Sequence, residues 1–244
     1  MKRILILIQF LGTNYSGWQT QPQEKTIQGT IEDAIFQATG ERVSLFSSGR
    51  TDAGVHALAM PAHFDTNTRI SPQNIYKALN AYLPSDIRIL CSKEVSSDFH
   101  ARFDVKEKTY GYKFYVSNNI LPYFATTEAQ VVEPFDCKTA NACVQYFLGT
   151  HDWKGFCSAK TATKTTIRTI TNIKLNKIDN HYELVVTGDG FLYNMVRIIA
   201  GTIIEVGQGK IKPNDIPDII DSMVRTRAGK TAPACGLVLK EVKY

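Results

Sequence analysis

Hydrophobic and polar residues recur along this chain with two different periods, which follow one another several times. A period near two predicts strands, and a period near 3.6 predicts helices. The predicted strands cover residues 3–10, 43–48, 63–65, 87–95, 108–116, 167–177, 182–188 and 237–242. The predicted helices cover residues 26–39, 136–149, 191–206 and 215–223, together with one that begins at Ser71-Pro72.

Strands and helices mix in both halves of the chain, and several strands follow one another directly. Asp179 and Asn180, for example, are turn residues between two predicted strands, which indicates an antiparallel hairpin. We therefore predict an α+β fold with mixed, mainly antiparallel sheets flanked by helices. Because the order of elements is similar in the two halves, we expect two similar subdomains, residues 1–104 and 105–244.

The composition is that of an ordinary soluble globular protein, with 43% hydrophobic and 21% charged residues among 244. No apolar run is long enough to span a bilayer, and the N-terminal run lacks the cleavage pattern of a signal peptide. The five cysteines form no Cys-x-x-Cys pair and no metal-binding spacing. We therefore expect reduced thiols in a cytoplasm, with neither a structural zinc site nor a disulfide framework.

The net charge of +5 is carried entirely by the second part of the chain. Residues 1–104 hold 10 basic and 10 acidic residues, whereas residues 105–244 hold 18 and 13. No acidic residue interrupts the basic stretch, which contains Lys154, Lys160, Lys164, Arg168, Lys174 and Lys177. Its lysines, arginine and threonines suit phosphate oxygens, and we predict that the first four contact an RNA backbone. On charge alone, a solvated face without a ligand is an equal alternative.

One short loop carries the strongest candidate for chemistry. Residues 49–54 place Arg-Thr-Asp between two glycines after a predicted strand, which indicates a tight, exposed turn. Turn statistics alone make Asp52 a turn residue more often than a catalyst. By the same reasoning, Arg50 and His56 are ordinary surface residues.

Arg197 is the second unusual residue, because its predicted helix is otherwise apolar around it. A buried guanidinium without a partner costs about 3–5 kcal/mol, so it should meet a carboxylate or a phosphate. A structural ion pair or a side chain that reaches solvent is the alternative. Spacing alone does not select Asp52 as the partner.

Residues 49–56, Gly-Arg-Thr-Asp-Ala-Gly-Val-His, resemble the signature loop of the TruA-type tRNA pseudouridine synthases without a break. Further stretches resemble the same family in the same order, from about residue 10 to the C-terminus. They are Ser16-Gly17-Trp18-Gln19 with Gln21, Asp98-Phe99-His100-Ala101-Arg102-Phe103, Lys108-Thr109-Tyr110 with Tyr112, Gly149-Thr150-His151-Asp152-Trp153, Arg168-Thr169-Ile170, Asn194-Met195-Val196-Arg197 and Gly236-Leu237. The chain departs from the family at Leu11, where an acidic residue is usual, and at Met60-Pro61.

The resemblance implies the pseudouridine synthase fold with a central RNA-binding cleft. It also implies conversion of uridine to pseudouridine at positions 38, 39 and 40, in the anticodon stem-loop of tRNA. The bond from ribose C1′ to uracil N1 breaks, the base turns over, and C5 bonds to the same carbon. No electrons or groups are exchanged, so neither a cofactor nor a metal is implied. The implied partner is tRNA, and the implied assembly is a homodimer.

The family's site residues fall on five positions of this chain. Asp52 is implied as the catalytic carboxylate, which attacks the sugar or removes a sugar proton. Arg197 is implied as the cation that keeps it ionised, since burial alone raises the pKa of a carboxyl group. Tyr110 and Leu237 are implied to hold the flipped uracil, and Arg50 to support the displaced strand. From the pattern alone, Tyr110 and Leu237 are core residues.

Two other classes of protein remain open from the residues themselves. One is a non-catalytic RNA-binding module, and the other is an aspartate-nucleophile hydrolase that acts on nucleosides. An RNA-binding module has no need for a pair formed by Asp52 and Arg197. A nucleoside hydrolase has no need for the basic stretch, and commonly uses a metal or a second acid.

Overall fold

The computed structural model describes residues 1–158 and 163–244, which divide into two compact units. The first unit comprises Met1–Lys106 and Leu239–Tyr244, and the second comprises Glu107–Val238. The end of the chain thus returns to the first unit. The subdomain boundary expected near residue 104 remains a proposal.

The first unit combines an antiparallel sheet with two helices. Its elements are β1 (Lys2–Phe10), α1 (Ile27–Thr39), β2 (Phe46–Ser47), β3 (His56–Thr66), α2 (Ile75–Asn80) and β4 (Ile87–Val95). β1 lies between β3 and β4, and β2 pairs with β3. Alternation along β1 buries Ile4, Ile6 and Ile8 completely, while the residues between them are partly exposed. The apolar stripe of α1 is buried as well, so both elements contribute to the core of this unit.

In its described residues, the second unit combines five strands with three helices. Its elements are β5 (Glu107–Val116), β6 (Ala129–Val131), α3 (Cys137–Val144), β7 (Gly149–Asp152), β8 (Ile167–Ile178), β9 (His181–Gly188), α4 (Met195–Gly207) and α5 (Ile216–Ser222). The strands follow the order β5, β9, β8, β7 with antiparallel pairing, and β6 pairs parallel to β5. The last strand of the chain, β10 (Leu237–Lys243), lies next to β3. The predicted α+β class, with mixed and mainly antiparallel pairing, is confirmed.

Several predicted boundaries are confirmed. β4 begins and ends at the predicted residues. Asp136 caps α3, because its carboxylate accepts the N–H groups of Lys138 and Thr139 at 2.9 and 3.3 Å. The turn between β8 and β9 places Asp179 in the left-handed region, at φ 53°, which aspartate tolerates better than most residues.

Other predicted boundaries are wrong, for identifiable reasons. α4 begins at Met195 rather than at residue 191, because Asn194 has a left-handed φ of 62° that a helix cannot include. β3 is much longer than the predicted 63–65. It contains Pro61, which cannot donate a ladder hydrogen bond and therefore argues against a strand in a sequence pattern. β2 is shorter than predicted, and α3 ends before Gly149.

Candidate active site

The signature loop 49–56 runs from the end of β2 into the start of β3 and is fixed by backbone hydrogen bonds. The N–H of Trp18 donates to the carbonyl of Thr51 at 3.0 Å. The N–H of Val55 donates to the carbonyl of Asp52 at 3.1 Å and closes the turn. These two bonds use main-chain atoms only, and together they fix the backbone around Asp52.

Two glycines, Gly12 and Gly17, allow the segment after β1 to pack against this loop at backbone contact distance. A Cβ atom on Gly12 would lie 2.0 Å from the carbonyl oxygen of Val55, and one on Gly17 would lie 2.7 Å from that of Thr51. The N–H of Gly12 also donates to Nδ1 of His56 at 3.0 Å. Close backbone packing therefore sets the position of the loop.

Successive side chains of the loop have different surroundings. Arg50 is exposed and Asp52 is partly exposed, whereas Thr51 between them is buried. The Thr51 hydroxyl makes no hydrogen bond to the residues that the structure describes. The expectation that His56 is a surface residue is wrong, because its side chain is 4% exposed and accepts the Gly12 N–H. The loop thus leaves its arginine and its aspartate accessible.

Tyr110 lies in β5 of the second unit, opposite Val186 of β9. Phe191 meets its ring edge-on, with the ring centroids 5.3 Å apart and the planes at 86°. Tyr112 and Phe114 on the same face of β5 are fully buried, whereas Tyr110 is 9% exposed. The aromatic stripe that the sequence predicts therefore does contribute to the core. Of its three rings, that of Tyr110 is the least buried.

Arg197 lies in the first turn of α4 and is half-buried. Its Nε donates to the carbonyl of Ala232 at 2.8 Å, and its Nη1 donates to Oδ1 of Asn194 at 2.8 Å. The Ala232 N–H returns a bond to the Arg197 carbonyl at 3.1 Å. Because two partners hold the guanidinium in different directions, its plane is oriented before any substrate binds.

The segment before Leu237 is held at two further points in the second unit. The Tyr112 hydroxyl donates to the Pro233 carbonyl at 2.8 Å. Gly236 packs so tightly on β5 that a Cβ atom would lie 2.5 Å from a main-chain oxygen of that strand. Together with the bond from Arg197 to Ala232, these contacts fix the path of the chain into Leu237, which is 8% exposed.

The basic stretch places lysine charges at the surface of the second unit. Lys154 and Lys164 are exposed, whereas Arg168 is half-buried. Arg168 donates from Nη1 to the carbonyl of Thr165 at 3.1 Å, so its side chain folds back on its own segment. Lys160 lies outside the described residues.

Sequence analysis missed two residues that support this site, Gly12 and Phe191. Gly12 lies two residues after the end of β1, where glycine is common in any turn, so its contact with Val55 had no local signal. Phe191 was assigned to a helix, and a helical position gave no reason to place it against the Tyr110 ring. Both contacts join residues that are far apart in the sequence.

The described residues contain no metal-binding cluster, no membrane-spanning helix and no disulfide bond. In residues 1–158 and 163–244, no three His, Cys, Asp or Glu side chains are grouped so that they could hold a metal ion. No helix in that same part of the chain has the length and apolar character needed to cross a membrane. All five cysteines are free thiols.

Comparison with known proteins adds a finding that is independent of this geometry. A model of the tRNA pseudouridine synthase family matches residues 6–104 and 143–244. The chain is 48% identical to a tRNA pseudouridine synthase A of Acetivibrio thermocellus and 47% identical to one of Caldicellulosiruptor bescii. It is also 47% identical to a tRNA pseudouridine synthase A 2 of Clostridium tetani. Each comparison covers 100% of this chain and at least 99% of the relative.

Among solved structures, the chain is similar to a chain in the crystal structure of a Cbf5-Nop10-Gar1 complex. The TM-score is 0.37 and the identity is 11%, over 96% of this chain and 57% of that chain. A chain of the archaeal box H/ACA sRNP Nop10-Cbf5 complex gives a TM-score of 0.36 and 13% identity, over 91% and 59%. This chain therefore spans less than two thirds of either structure, and TM-scores at this level do not bear on function.

Proposed function

The chain belongs to the tRNA pseudouridine synthase family and is therefore an isomerase of uridine in tRNA, and we propose that it modifies positions 38, 39 and 40 of the anticodon stem-loop. The observation that carries the proposal is the signature loop. Its Asp52 side chain is partly exposed while the main chain on both sides is fixed. A carboxylate held in this way is preorganised to meet a nucleotide that has left its helix.

Asp52 acts on the ribose of the flipped uridine. The carboxylate either attacks C1′ or removes a sugar proton, and in both routes the bond between C1′ and N1 breaks. The uracil then turns over and C5 bonds to C1′. The proton on C5 is lost to solvent and N1 gains one, so the product is an isomer of the substrate. Retaining glycosidases also place a carboxylate next to a sugar carbon that develops oxocarbenium-ion character.

The remaining site residues have distinct roles in this proposal. Arg197 favours the ionised form of Asp52, a role for which its two oriented hydrogen bonds suit it. Tyr110 stacks on the flipped uracil, and Leu237 packs against the same base from a fixed segment. Arg50, exposed beside the catalytic aspartate, binds the strand from which the nucleotide has been withdrawn.

The proposed positions are tested with tRNA transcripts that carry tritium at uridine C5. Isomerisation releases this tritium, because the C5 proton is lost when C5 bonds to the sugar. We expect release from a transcript with uridines at positions 38, 39 and 40, and background release when cytidine replaces them. Release that persists from the second transcript would place the modified uridine elsewhere in the tRNA.

We also propose that Lys154, Lys160, Lys164 and Arg168 contact the RNA backbone. The variant Lys154→Glu with Lys164→Glu should raise the Kd for tRNA about tenfold at low salt, and less at high salt, because counterions screen these contacts. Fluorescence anisotropy across a salt series measures this difference.

The control for these lysines is Lys77→Glu with Lys93→Glu, two exposed lysines of the first unit. It changes the net charge by the same amount but leaves the basic stretch intact, so its Kd should stay close to that of the wild type. Equal weakening in both double variants, or a loss independent of salt, would show that the basic stretch is not the RNA-binding surface.

The assembly that we propose is a homodimer in the cytoplasm. Free thiols at all five cysteines support a reducing compartment. The homodimer is what the family resemblance implies, and sedimentation velocity of the purified chain measures it directly.

A further inference from the structure

An exposed group of aromatic rings in the first unit lies apart from the residues that the proposed reaction uses. It consists of Phe46, His100 and Phe103, and we call it the aromatic platform. Phe103 is 74% exposed and Phe46 is 49% exposed. Large aromatic side chains are usually buried, so two of them joined by a third ring on one surface indicate a binding surface.

The rings of the platform form a continuous set. The Phe103 and His100 centroids are 4.2 Å apart with the planes at 30°, and the His100 and Phe46 centroids are 5.7 Å apart. Beneath them, Phe46 stacks on His63 at 5.3 Å and 22°. Burial lowers the pKa of His63 to about 4, so this supporting ring is uncharged near neutral pH. The platform therefore packs on an uncharged aromatic ring.

The turn that carries Phe103 is fixed by hydrogen bonds. The N–H groups of Phe103 and Asp104 donate to the His100 carbonyl at 3.2 and 3.1 Å, and the Asp104 carboxylate accepts the His100 N–H at 2.8 Å. Arg3 of β1 donates from Nη1 to the carbonyl of Phe99 at 2.9 Å. This bond holds the residue before His100 against β1. Because the backbone is already ordered, binding at Phe103 costs little conformational entropy.

Charges of both signs surround the platform. The Arg102 guanidinium lies 5.9 Å from the centre of the Phe103 ring, and Asp98 and Asp104 are exposed nearby in the same segment. Two carboxylates next to one guanidinium do not favour a phosphate group. The ring faces are therefore the feature of this surface that can bind a ligand, and an aromatic face stacks on any nucleobase.

We propose that the aromatic platform stacks one unpaired nucleobase of the tRNA substrate, with Phe103 as the ring in contact with the base. This inference rests on the proposed function, because the tRNA supplies the base. A flat base fits three rings bordered by exposed charges. A protein partner would need about 1,000 Å² or more of complementary surface, which charges of both signs interrupt here.

The test compares three substitutions at Phe103 by direct binding of unmodified tRNA. Phe103→Ala removes the ring, and we expect the Kd to rise about tenfold, which corresponds to about 1.4 kcal/mol. Phe103→Leu keeps apolar bulk but not the aromatic face, and should resemble the alanine variant. Phe103→Trp keeps a stacking face and should stay close to the wild type. In turnover, KM should rise in the first two variants while kcat stays unchanged.

The matched control is Tyr82→Ala, which removes another exposed ring of the first unit, 55% exposed at the end of α2. Its Kd should equal that of the wild type. An unchanged Kd in Phe103→Ala, or wild-type binding by Phe103→Leu, would overturn the stacking proposal. If Phe103→Ala instead dissociates an oligomer in sedimentation velocity, the platform is a protein interface. Because binding is measured without turnover, absence of tritium release by the wild type would reject the proposed function separately.

Discussion

We expect Asp52→Asn protein to release no tritium above background from tRNA labelled at uridine C5, a loss of at least about a thousandfold. Asparagine keeps the size of the side chain but lacks the negative charge that acts on the ribose. The backbone bonds beside Asp52, from Trp18 to Thr51 and from Val55 to Asp52 itself, involve no side-chain oxygen and therefore remain. Single-turnover assays with enzyme in excess measure the chemical step without contributions from product release.

The control for Asp52 is Asp33→Asn, the same change at an exposed position of α1. It should release tritium at the wild-type rate. Both variants should bind tRNA with a Kd close to that of the wild type, because neither carboxylate supplies a phosphate contact. Release that persists in Asp52→Asn would remove Asp52 from the reaction. Loss of both binding and thermal stability would show instead that the substitution disturbs the fold.

The hydrophobic pattern predicted elements well where one period dominates the segment. Burial alternates over the first four residues of β4, and the bounds of this strand are confirmed. The hairpin of β8 and β9 is also confirmed, because Asp179 and Asn180 form the turn between two alternating segments. Where a single residue interrupts the pattern, the prediction was wrong. Pro61 concealed most of β3, and a helical pattern that ran through Asn194 placed the start of α4 too early.

The candidate site shows a different limit of sequence reasoning. The exposed turn around Asp52 could be predicted, since its glycines and polar residues act locally. The buried position of His56 could not, because it depends on the N–H of Gly12, which precedes it by 44 residues. The edge-on ring of Phe191 against Tyr110 is likewise a tertiary contact. The pattern along the sequence indicates where turns and alternating strands lie. It contains no information about which residues far apart in the sequence come into contact.

The roles of Asp52, Arg197, Tyr110 and Leu237 came from the ordered resemblance along the chain and remain proposals. The structure adds physical reasons for two of them. Arg197 is oriented by bonds to Ala232 and Asn194, and Leu237 follows a segment that hydrogen bonds and close packing hold in place. A site of this kind also depends on residues that do not touch the substrate. Substituting a residue that packs against the signature loop tests whether the position of the loop matters for the reaction.

Gly12→Ala protein is expected to lose about 1–3 kcal/mol of unfolding free energy, and also to lose kcat about tenfold or more. The added Cβ atom would lie 2.0 Å from the carbonyl oxygen of Val55 and 2.9 Å from its carbonyl carbon. Both are backbone atoms, so no side-chain rotation can relieve the overlap. Val55 must move, and because its N–H donates to the Asp52 carbonyl, the catalytic turn moves with it. Urea unfolding and single-turnover tritium release measure the two effects.

Gly40→Ala separates a shift of the catalytic loop from a general loss of stability. Gly40 ends α1 at a left-handed φ of 76°, and an alanine there costs about 1 kcal/mol although no atom within 4 Å opposes the added Cβ. This variant should therefore unfold more easily but keep the wild-type kcat below its unfolding transition. Because both variants are destabilised, only displacement of the signature loop accounts for a fall in kcat confined to Gly12→Ala. A wild-type kcat in Gly12→Ala would mean that the close approach of Gly12 to Val55 does not position Asp52.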